Sequence, residues 1–309
     1  EKWVGFFGGG HQLSICSGSD CDKRGKGFFV IDLSNGNVLW SFARADNAAM
    51  DYAMPAAPSM VDTDYDGFVD TAYIGDLGGN IWRFKFCSAA DSVACNTTNW
   101  TGARLFERSG GTGAVYSAPA AAKDPKGNLW LFWGTGDRLE PISVGGGSER
   151  IYAVKDTGSA VTLGNLENVT GSTYADTNEK RGWYIILAGQ GEKVLAEPVV
   201  FGGVAYFTSY IPTVGGDVCQ QSLGTAHLYA LGYLTAAPAT GTESRRIQVG
   251  YGIPTAPIVS FRPGGAAADL YVTVSAATYT STKTVKTPIA PPLPSNRTNI
   301  LYWHDQRVQ

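Results

Sequence analysis

The feature that most constrains the fold is a proline-led strand that recurs four times along the chain. In each copy a small or acidic residue and a proline precede a short apolar segment, and the copies span residues 57–61, 118–121, 197–200 and 256–259. The four prolines are 61, 79 and 59 residues apart. Units of this length with three or four short strands are typical of β-propeller blades that carry loop insertions. Since one blade cannot bury both of its faces alone, the repeat predicts a series of packed blades.

Two further strands follow the opening strand in each copy. The second strand ends in glycine or a small polar residue, and the third carries an aromatic side chain, at Trp82, Tyr152, Tyr229 and Trp303. A partial copy lies at the N-terminus, where residues 4–10 and 27–32 match a second and a third strand. The sequence therefore predicts an all-β propeller with about five visible blades, the first one partial. Residues 1–309 form a single propeller domain or its larger C-terminal part, and we expect further strands upstream.

Local patterns agree with this fold class. Helical periodicity is almost absent, and the short apolar runs are rich in β-branched and aromatic residues. Turn signals such as Asn35-Gly36 and Gly202-Gly203 separate these runs, because both residue types accept the positive φ of tight hairpins. The proline-rich residues 288–294 are predicted to be an extended crossing into the last strand, at 299–303. The tryptophans are interpreted as blade-packing residues rather than as a carbohydrate-binding platform.

Charge and hydropathy exclude two classes of partner. The formal net charge is −3 and no basic run occurs, so the chain lacks the electrostatic footprint of a nucleic-acid-binding protein. An anionic membrane surface is equally unfavourable for it. No apolar stretch approaches the roughly 18 residues of a membrane span. We therefore expect no nucleic-acid binding and no membrane insertion of this chain.

The five cysteines indicate the redox environment. Cys16 and Cys21 form one close pair and Cys87 and Cys95 another, both in polar loop-like sequence, whereas Cys219 stands alone. Each close pair is interpreted as a disulfide that closes a small loop, with zinc binding as the alternative. Cys219 either pairs outside this chain or is free. The disulfide interpretation predicts an exported protein.

The clearest local motif is an aspartate-rich loop over residues 62–70. It contains Asp62, Asp64, Asp66 and Asp70, with Gly67 for a sharp turn. Ca²⁺ prefers several hard oxygen ligands in a flexible cage, and the carbonyl oxygen of Phe68 adds one more to the four carboxylates. The loop differs from an EF-hand, because position twelve is a tyrosine and both flanks are strands. The alternative is an aspartate-rich turn without metal, which mutual repulsion of the carboxylates disfavours.

Catalytic motifs find little support in this sequence. The three histidines, His11, His227 and His304, are not at motif spacing from a serine or a carboxylate, and no G-x-S-x-G occurs. The glycine-rich segments at 8–10 and 110–113 lead neither into a helix nor into a Lys-Ser/Thr pair. The sequence therefore predicts a protein that is not an enzyme.

An ordered series of segments resembles the C-terminal propeller domain of the PilY (also PilC) type IV pilus biogenesis factors and tip adhesins. The resemblance covers nearly the whole chain and is most specific over residues 58–86. The other matching segments are residues 3–10, 27–36, 132–136, 182–184, 198–200 and 207–212. It implies a modified seven-bladed propeller and a calcium site formed by Asp62, Asp64, Asp66, the Phe68 carbonyl and Asp70.

The resemblance also implies a function at the bacterial surface. Members of the family act at the pilus tip, the periplasm or the outer membrane, with minor pilins and the pilus tip complex as partners and host or abiotic surfaces as adhesive targets. Calcium occupancy would regulate pilus extension and retraction, and hence twitching motility. Two alternatives remain: a secreted propeller enzyme of quinoprotein or glycosidase type, and a carbohydrate-binding propeller unrelated to pili.

Overall fold

The computed structural model describes residues 2–11, 24–87, 96–108, 113–145, 148–177, 179–213, 223–261, 268–276 and 281–289. These residues form an all-β structure whose helical segments are two 3₁₀ turns, Thr97–Asn99 and Leu163–Asn165. The strands in chain order are β1 (Val4–Gly9), β2 (Gly25–Asp32), β3 (Val38–Ala43), β4 (Ser59–Val61), β5 (Thr71–Gly75), β6 (Ile81–Lys85), β7 (Thr101–Glu107), β8 (Ala120–Lys123), β9 (Leu129–Gly134), β10 (Arg150–Asp156), β11 (Val161–Thr162), β12 (Glu167–Asn168), β13 (Gly182–Ile186), β14 (Lys193–Val194), β15 (Val199–Phe201), β16 (Val204–Ile211), β17 (Thr225–Gly232), β18 (Arg246–Tyr251), β19 (Ile258–Phe261), β20 (Ala268–Ser275) and β21 (Thr282–Ile289).

The strands assemble into five blades within the described residues. Blade 1 is β1-β2-β3, blade 2 is β4-β5-β6-β7 with β11 on its outer edge, and blade 3 is β8-β9-β10-β13 with β12 on its outer edge. Blade 4 is β15-β16-β17-β18, with β14 also paired to β16, and blade 5 is β19-β20-β21. A single bridge between Tyr251 and Ser275 joins the last two blades into one sheet. The all-β propeller fold predicted from the repeat is confirmed.

Each repeated proline directly precedes the first strand of a blade. Pro58 precedes β4, Pro119 precedes β8, Pro198 precedes β15 and Pro257 precedes β19. Proline suits this place because it has no N–H to give to a strand ladder and is tolerated at the first residue of a strand. The proline spacing therefore equals the spacing of blades along the chain.

The core lies between the blades. Successive side chains of a strand point to opposite faces of its sheet, so an inner blade packs one face on the preceding blade and the other on the following blade. Trp82, Tyr152 and Tyr229 are all buried and belong to the layers between blades 1 and 2, 2 and 3, and 3 and 4. Each of them therefore faces the preceding blade, which confirms that these aromatics occupy equivalent places.

The last blade departs from the sequence-based assignment of its third strand. β21 fills this position, and it pairs with β20 along its whole length, from Ser275 opposite Thr282 to Ala268 opposite Ile289. Residues 288 and 289 of the proline-rich segment thus continue a strand. Residues 290–294, the predicted strand at 299–303 and Trp303 lie outside the described residues.

Two hairpins share an aspartate-centred turn with the pattern D-x-x-G-N-x-W. In the first, Asp76 accepts hydrogen bonds from the backbone amides of Gly78 and Asn80, the Asn80 amide group and the Trp82 indole N–H. In the second, Asp124 accepts the same set from Lys126, Asn128 and Trp130. Its bonds to these donors measure 2.7–3.1 Å. Each carboxylate therefore fixes both the turn and a buried tryptophan of the following strand.

The pKa values of the two carboxylates are shifted in opposite directions, because the two groups differ in burial. Desolvation of fully buried Asp76 raises its pKa above the ordinary value despite the hydrogen bonds it accepts. Burial also acts to raise the pKa of Asp124, but hydrogen bonds from Asn128, Trp130 and backbone amides outweigh it and lower that pKa. The two groups therefore contribute to stability with opposite dependence on pH.

Comparison of Asp124→Asn and Asp76→Asn with the wild type tests this contrast. The contribution of Asp124 is complete above the unfolded pKa of about 3.9 and is lost as the pH falls through its lower folded pKa. The contribution of Asp76 declines instead as the pH rises from about 3.9 through its raised folded pKa. Chemical unfolding between about pH 3 and 7 measures both, and parallel pH profiles for the two variants would contradict the assignment.

The cysteine predictions fall mostly outside the described residues. Cys87 is disulfide-bonded, and its sulfur lies 3.2 Å from the indole nitrogen of Trp100. Cys16, Cys21, Cys95 and Cys219 are outside the described part of the chain. The two predicted pairings therefore stay predictions.

Candidate metal centre

The aspartate-rich loop connects β4 and β5 of blade 2. These two strands are hydrogen-bonded up to Val61 opposite Thr71, so the loop must reverse direction within nine residues. Two residues take positive φ angles, Gly67 at +93° and Tyr65 at +65°. Glycine adopts this conformation without steric cost, whereas a bulky residue such as tyrosine adopts it only when its surroundings hold it there. The loop is therefore tightly wound, and its middle is exposed.

Three of the predicted ligands converge in this loop. Asp62, Asp64 and Asp70 each offer one carboxylate oxygen, and the three oxygens lie within 4.8 Å of one another. Asp70 is buried, Asp62 is half-buried and Asp64 is exposed. This group could hold a metal ion, although its geometry alone does not identify the ion.

The other two predicted ligands are placed differently. Asp66 is exposed, and its carboxylate accepts a hydrogen bond of 2.8 Å from the backbone amide of Phe68. The side chain of Phe68 is also exposed. The coordination of an ion by the Asp66 carboxylate and the Phe68 carbonyl stays a prediction.

Backbone amides orient the Asp62 carboxylate. One of its oxygens accepts from the amide of Tyr65 at 2.6 Å and the other from the amide of Gly67 at 2.8 Å. The amide of Asp66 donates to the Asp64 carboxylate at 3.3 Å. Asp62 therefore holds the turn and also belongs to the acidic group.

Asp70 anchors the opposite end of the loop. One carboxylate oxygen accepts from the amide and the hydroxyl of Thr63 at 2.7 and 2.6 Å, and the other accepts from the Thr71 hydroxyl at 2.7 Å. The backbone of Asp70 also pairs with Val61 and Phe86. Because the Asp70 carboxylate is buried and accepts three hydrogen bonds, its position is fixed by its protein neighbours rather than by solvent.

A lysine from the next blade also contacts the loop, and sequence reasoning missed it. The ammonium of Lys123, in β8, donates to the carbonyl oxygen of Thr63 at 2.6 Å. It also lies 3.9 Å from the centre of the Tyr65 ring. No local pattern could have revealed this contact, because Lys123 is 60 residues from Thr63 along the chain.

His11 and Asp137 both contact Tyr116. His11 stacks on Tyr116, and the Tyr116 hydroxyl donates to Asp137 at 3.3 Å. Asp137 also accepts from the backbone amides of Leu139 and Glu140, so it stabilises its own loop.

Among the described residues, no helix is both long enough and apolar enough to cross a membrane.

The blades and the acidic loop together define a β-propeller with a candidate cation site on a strand-connecting loop of blade 2. The chain belongs to the PilY1 β-propeller domain family, whose sequence profile matches residues 1–180. This match covers the first and second blades and the third blade as far as β12, and it includes the whole acidic loop.

Two similar proteins support this family assignment. A type IV pilus biogenesis factor PilY1 homolog of Xylella fastidiosa is 26% identical over 285 residues, which cover 78% of this chain and 18% of the relative. Type IV pilus biogenesis factor PilY1 of Pseudomonas aeruginosa is 25% identical over 280 residues, covering 71% of this chain and 23% of the relative. The chain thus spans about a fifth of the length of these relatives.

A solved structure shows the same fold. The crystal structure of the Pseudomonas aeruginosa PilY1 C-terminal domain superposes with a TM-score of 0.60 at 17% sequence identity. The superposition covers 81% of this chain and 65% of that chain. At this identity the similarity concerns the fold alone.

Proposed function

We propose that this propeller binds one Ca²⁺ in the 62–70 loop and acts, without enzymatic activity, in a type IV pilus biogenesis factor and adhesin. The observation that carries the proposal is the convergence of Asp62, Asp64 and Asp70 in a chain of the PilY1 propeller family. Calcium occupancy regulates pilus extension and retraction in this proposal. The protein is exported and works at the cell surface, the pilus tip, or the periplasm and outer membrane.

The donor set favours calcium over other ions. The converging side-chain atoms are carboxylate oxygens, and zinc or copper would gain from thiolate or imidazole ligands instead. Mg²⁺ demands a near-ideal octahedron and gives up its waters reluctantly, whereas Ca²⁺ accepts six to eight oxygens in irregular arrangements. An exposed, tightly wound loop with several carboxylates therefore fits Ca²⁺ better than Mg²⁺.

The partners follow from the family and stand as proposals. The two relatives are described as type IV pilus biogenesis factors, and we propose that this chain contacts minor pilins in the pilus tip complex. Host or abiotic surfaces are the proposed adhesive targets. A role of the ion in the state of the protein rather than in catalysis agrees with the position of the proposed site, on a loop that joins two strands of one blade.

Calorimetric titration of the purified chain with CaCl₂ tests the site. We expect one Ca²⁺ per wild-type chain and binding weaker by about 100-fold in Asp62→Ala, because this variant loses a ligand and the acceptor of two backbone amides. Asp66→Ala tests the remaining carboxylate in the same way. Asp46→Ala is the matched control, since Asp46 is an exposed aspartate that caps a backbone amide in another turn.

Twitching motility connects the site to the pilus. Cells whose full-length protein carries Asp62→Ala are expected to move less than cells that carry Asp46→Ala. Absence of calcium uptake by the wild type at millimolar concentration would refute the metal site. Normal motility of a variant that binds no calcium would refute the regulatory role.

A further inference from the structure

The aspartates of the loop alternate with residues that contact the neighbouring blade. Thr63 separates Asp62 from Asp64, and Tyr65 separates Asp64 from Asp66. Both separating residues contact one group, the ammonium of Lys123, through the Thr63 carbonyl and the Tyr65 ring. Lys123 of blade 3 therefore contacts the blade 2 loop at the two residues that separate the loop's aspartates.

The position of Lys123 relative to the loop is fixed by hydrogen bonds between blades 2 and 3. Asp156 of blade 3 accepts hydrogen bonds of 2.6 Å from the Tyr73 hydroxyl and from the Arg83 guanidinium, both in blade 2. Ser59 also donates to the carbonyl of Pro119 across the same boundary. The ammonium is thus presented to the loop from a rigid neighbour.

The contact also accounts for the unusual backbone of Tyr65. A tyrosine at φ +65° is costly on its own. Its amide donates to Asp62, and its ring lies under the ammonium of Lys123 in a cation–π geometry. These two contacts hold Tyr65 in this conformation, and one of them is made by the Asp62 carboxylate itself.

We infer that Lys123 is a positioning residue for the cation site. From the adjacent blade, Lys123 holds the loop so that Asp62 and Asp64 keep their binding geometry. This inference rests on the calcium site proposed above and adds to it a link between ion occupancy and the packing of blades 2 and 3. By reciprocity, an ion that stabilises the loop also stabilises its contact with Lys123.

Two effects of opposite sign follow from removing the ammonium. Loss of the hydrogen bond and the ring contact loosens the loop and weakens binding, whereas loss of a positive charge relieves its repulsion of Ca²⁺. The repulsion is screened by salt and water around an exposed loop, while the two contacts act at 2.6 and 3.9 Å. We therefore expect the positioning effect to dominate.

Calcium titration of Lys123→Met, Lys123→Arg and Lys126→Met tests the inference. Lys123→Met is expected to raise the Kd about tenfold, as is usual when a residue that orients ligands is removed. Lys123→Arg keeps the charge and the donors, so its Kd is expected within about threefold of the wild type. Lys126, an exposed lysine of the following turn with a salt bridge to Asp176, supplies the control, and Lys126→Met is expected to bind like the wild type.

Hydrogen exchange in EDTA adds a measurement that does not depend on the ion. The amides of Tyr65 and Gly67 are expected to exchange faster in Lys123→Met than in Lys126→Met. An unchanged or lower Kd in Lys123→Met would overturn the inference, and so would unchanged hydrogen exchange. If the wild type still binds Ca²⁺ in that case, the proposed calcium site stands. Failure of the wild type to bind Ca²⁺ overturns the proposed function itself, and the inference with it.

Discussion

Replacement of Asp70 with alanine is expected to abolish calcium binding at concentrations where the wild type is saturated, a loss of more than about 100-fold in affinity. The change removes one of the three converging carboxylates. It also leaves the amide and hydroxyl of half-buried Thr63 and the hydroxyl of buried Thr71 without their acceptor. Calorimetric titration measures the affinity directly.

Asp70→Asn separates the two consequences of this change. The asparagine retains an acceptor oxygen and nearly the same shape, so the loop should keep its fold while the ligand charge is lost. We expect this variant to melt near the wild-type temperature in EDTA and still to bind calcium poorly. Wild-type affinity in Asp70→Asn would show that the Asp70 carboxylate is not a ligand.

Replacement of Asp76 with alanine is expected to destabilise the domain by about 3–5 kcal/mol. Asp76 is fully buried, and the change leaves the Trp82 indole N–H, the Asn80 side chain and two backbone amides without their shared acceptor. Buried donors that lose an acceptor keep their desolvation cost, and for this reason the loss exceeds the net value of the bonds themselves. Denaturant unfolding, monitored by tryptophan fluorescence, measures the change.

Asp124→Ala provides the matched comparison for Asp76→Ala. It removes the same set of hydrogen bonds from the second hairpin, but Asp124 is slightly exposed, so water can replace part of the acceptor. We expect a smaller loss, about 2–3 kcal/mol. Equal stability of the wild type and Asp76→Ala would refute the structural role of this turn.

The propeller was predictable because its evidence is periodic and local. A proline that opens a strand and an alternation of apolar residues are properties of short segments, and repetition makes them visible in one sequence. The repeat pattern alone aligns Trp82, Tyr152 and Tyr229, and they take equivalent positions in their blades. The last blade was harder, because Thr282–Ile289 is a largely polar strand with no aromatic residue.

The acidic loop was predictable for a similar reason. Its ligand candidates lie within nine residues, so spacing predicted that they lie close together. Of the four predicted carboxylates, those of Asp62, Asp64 and Asp70 converge. The different environments of Asp76 and Asp124 were not visible in their shared motif. The pKa of each depends on how much water reaches it, and this is decided by residues far away in the chain.

The fold class, the family and the position of the acidic loop can be predicted from the amino-acid sequence, because each depends on residue patterns within short segments. Which carboxylates meet, which aspartate is fully desolvated and which lysine contacts the loop depend on how the chain packs in three dimensions. Packing of one blade on the next brings Lys123 to Thr63 and Tyr65. Contacts of this kind form between side chains that no local pattern relates, so they exist only once the blades have packed.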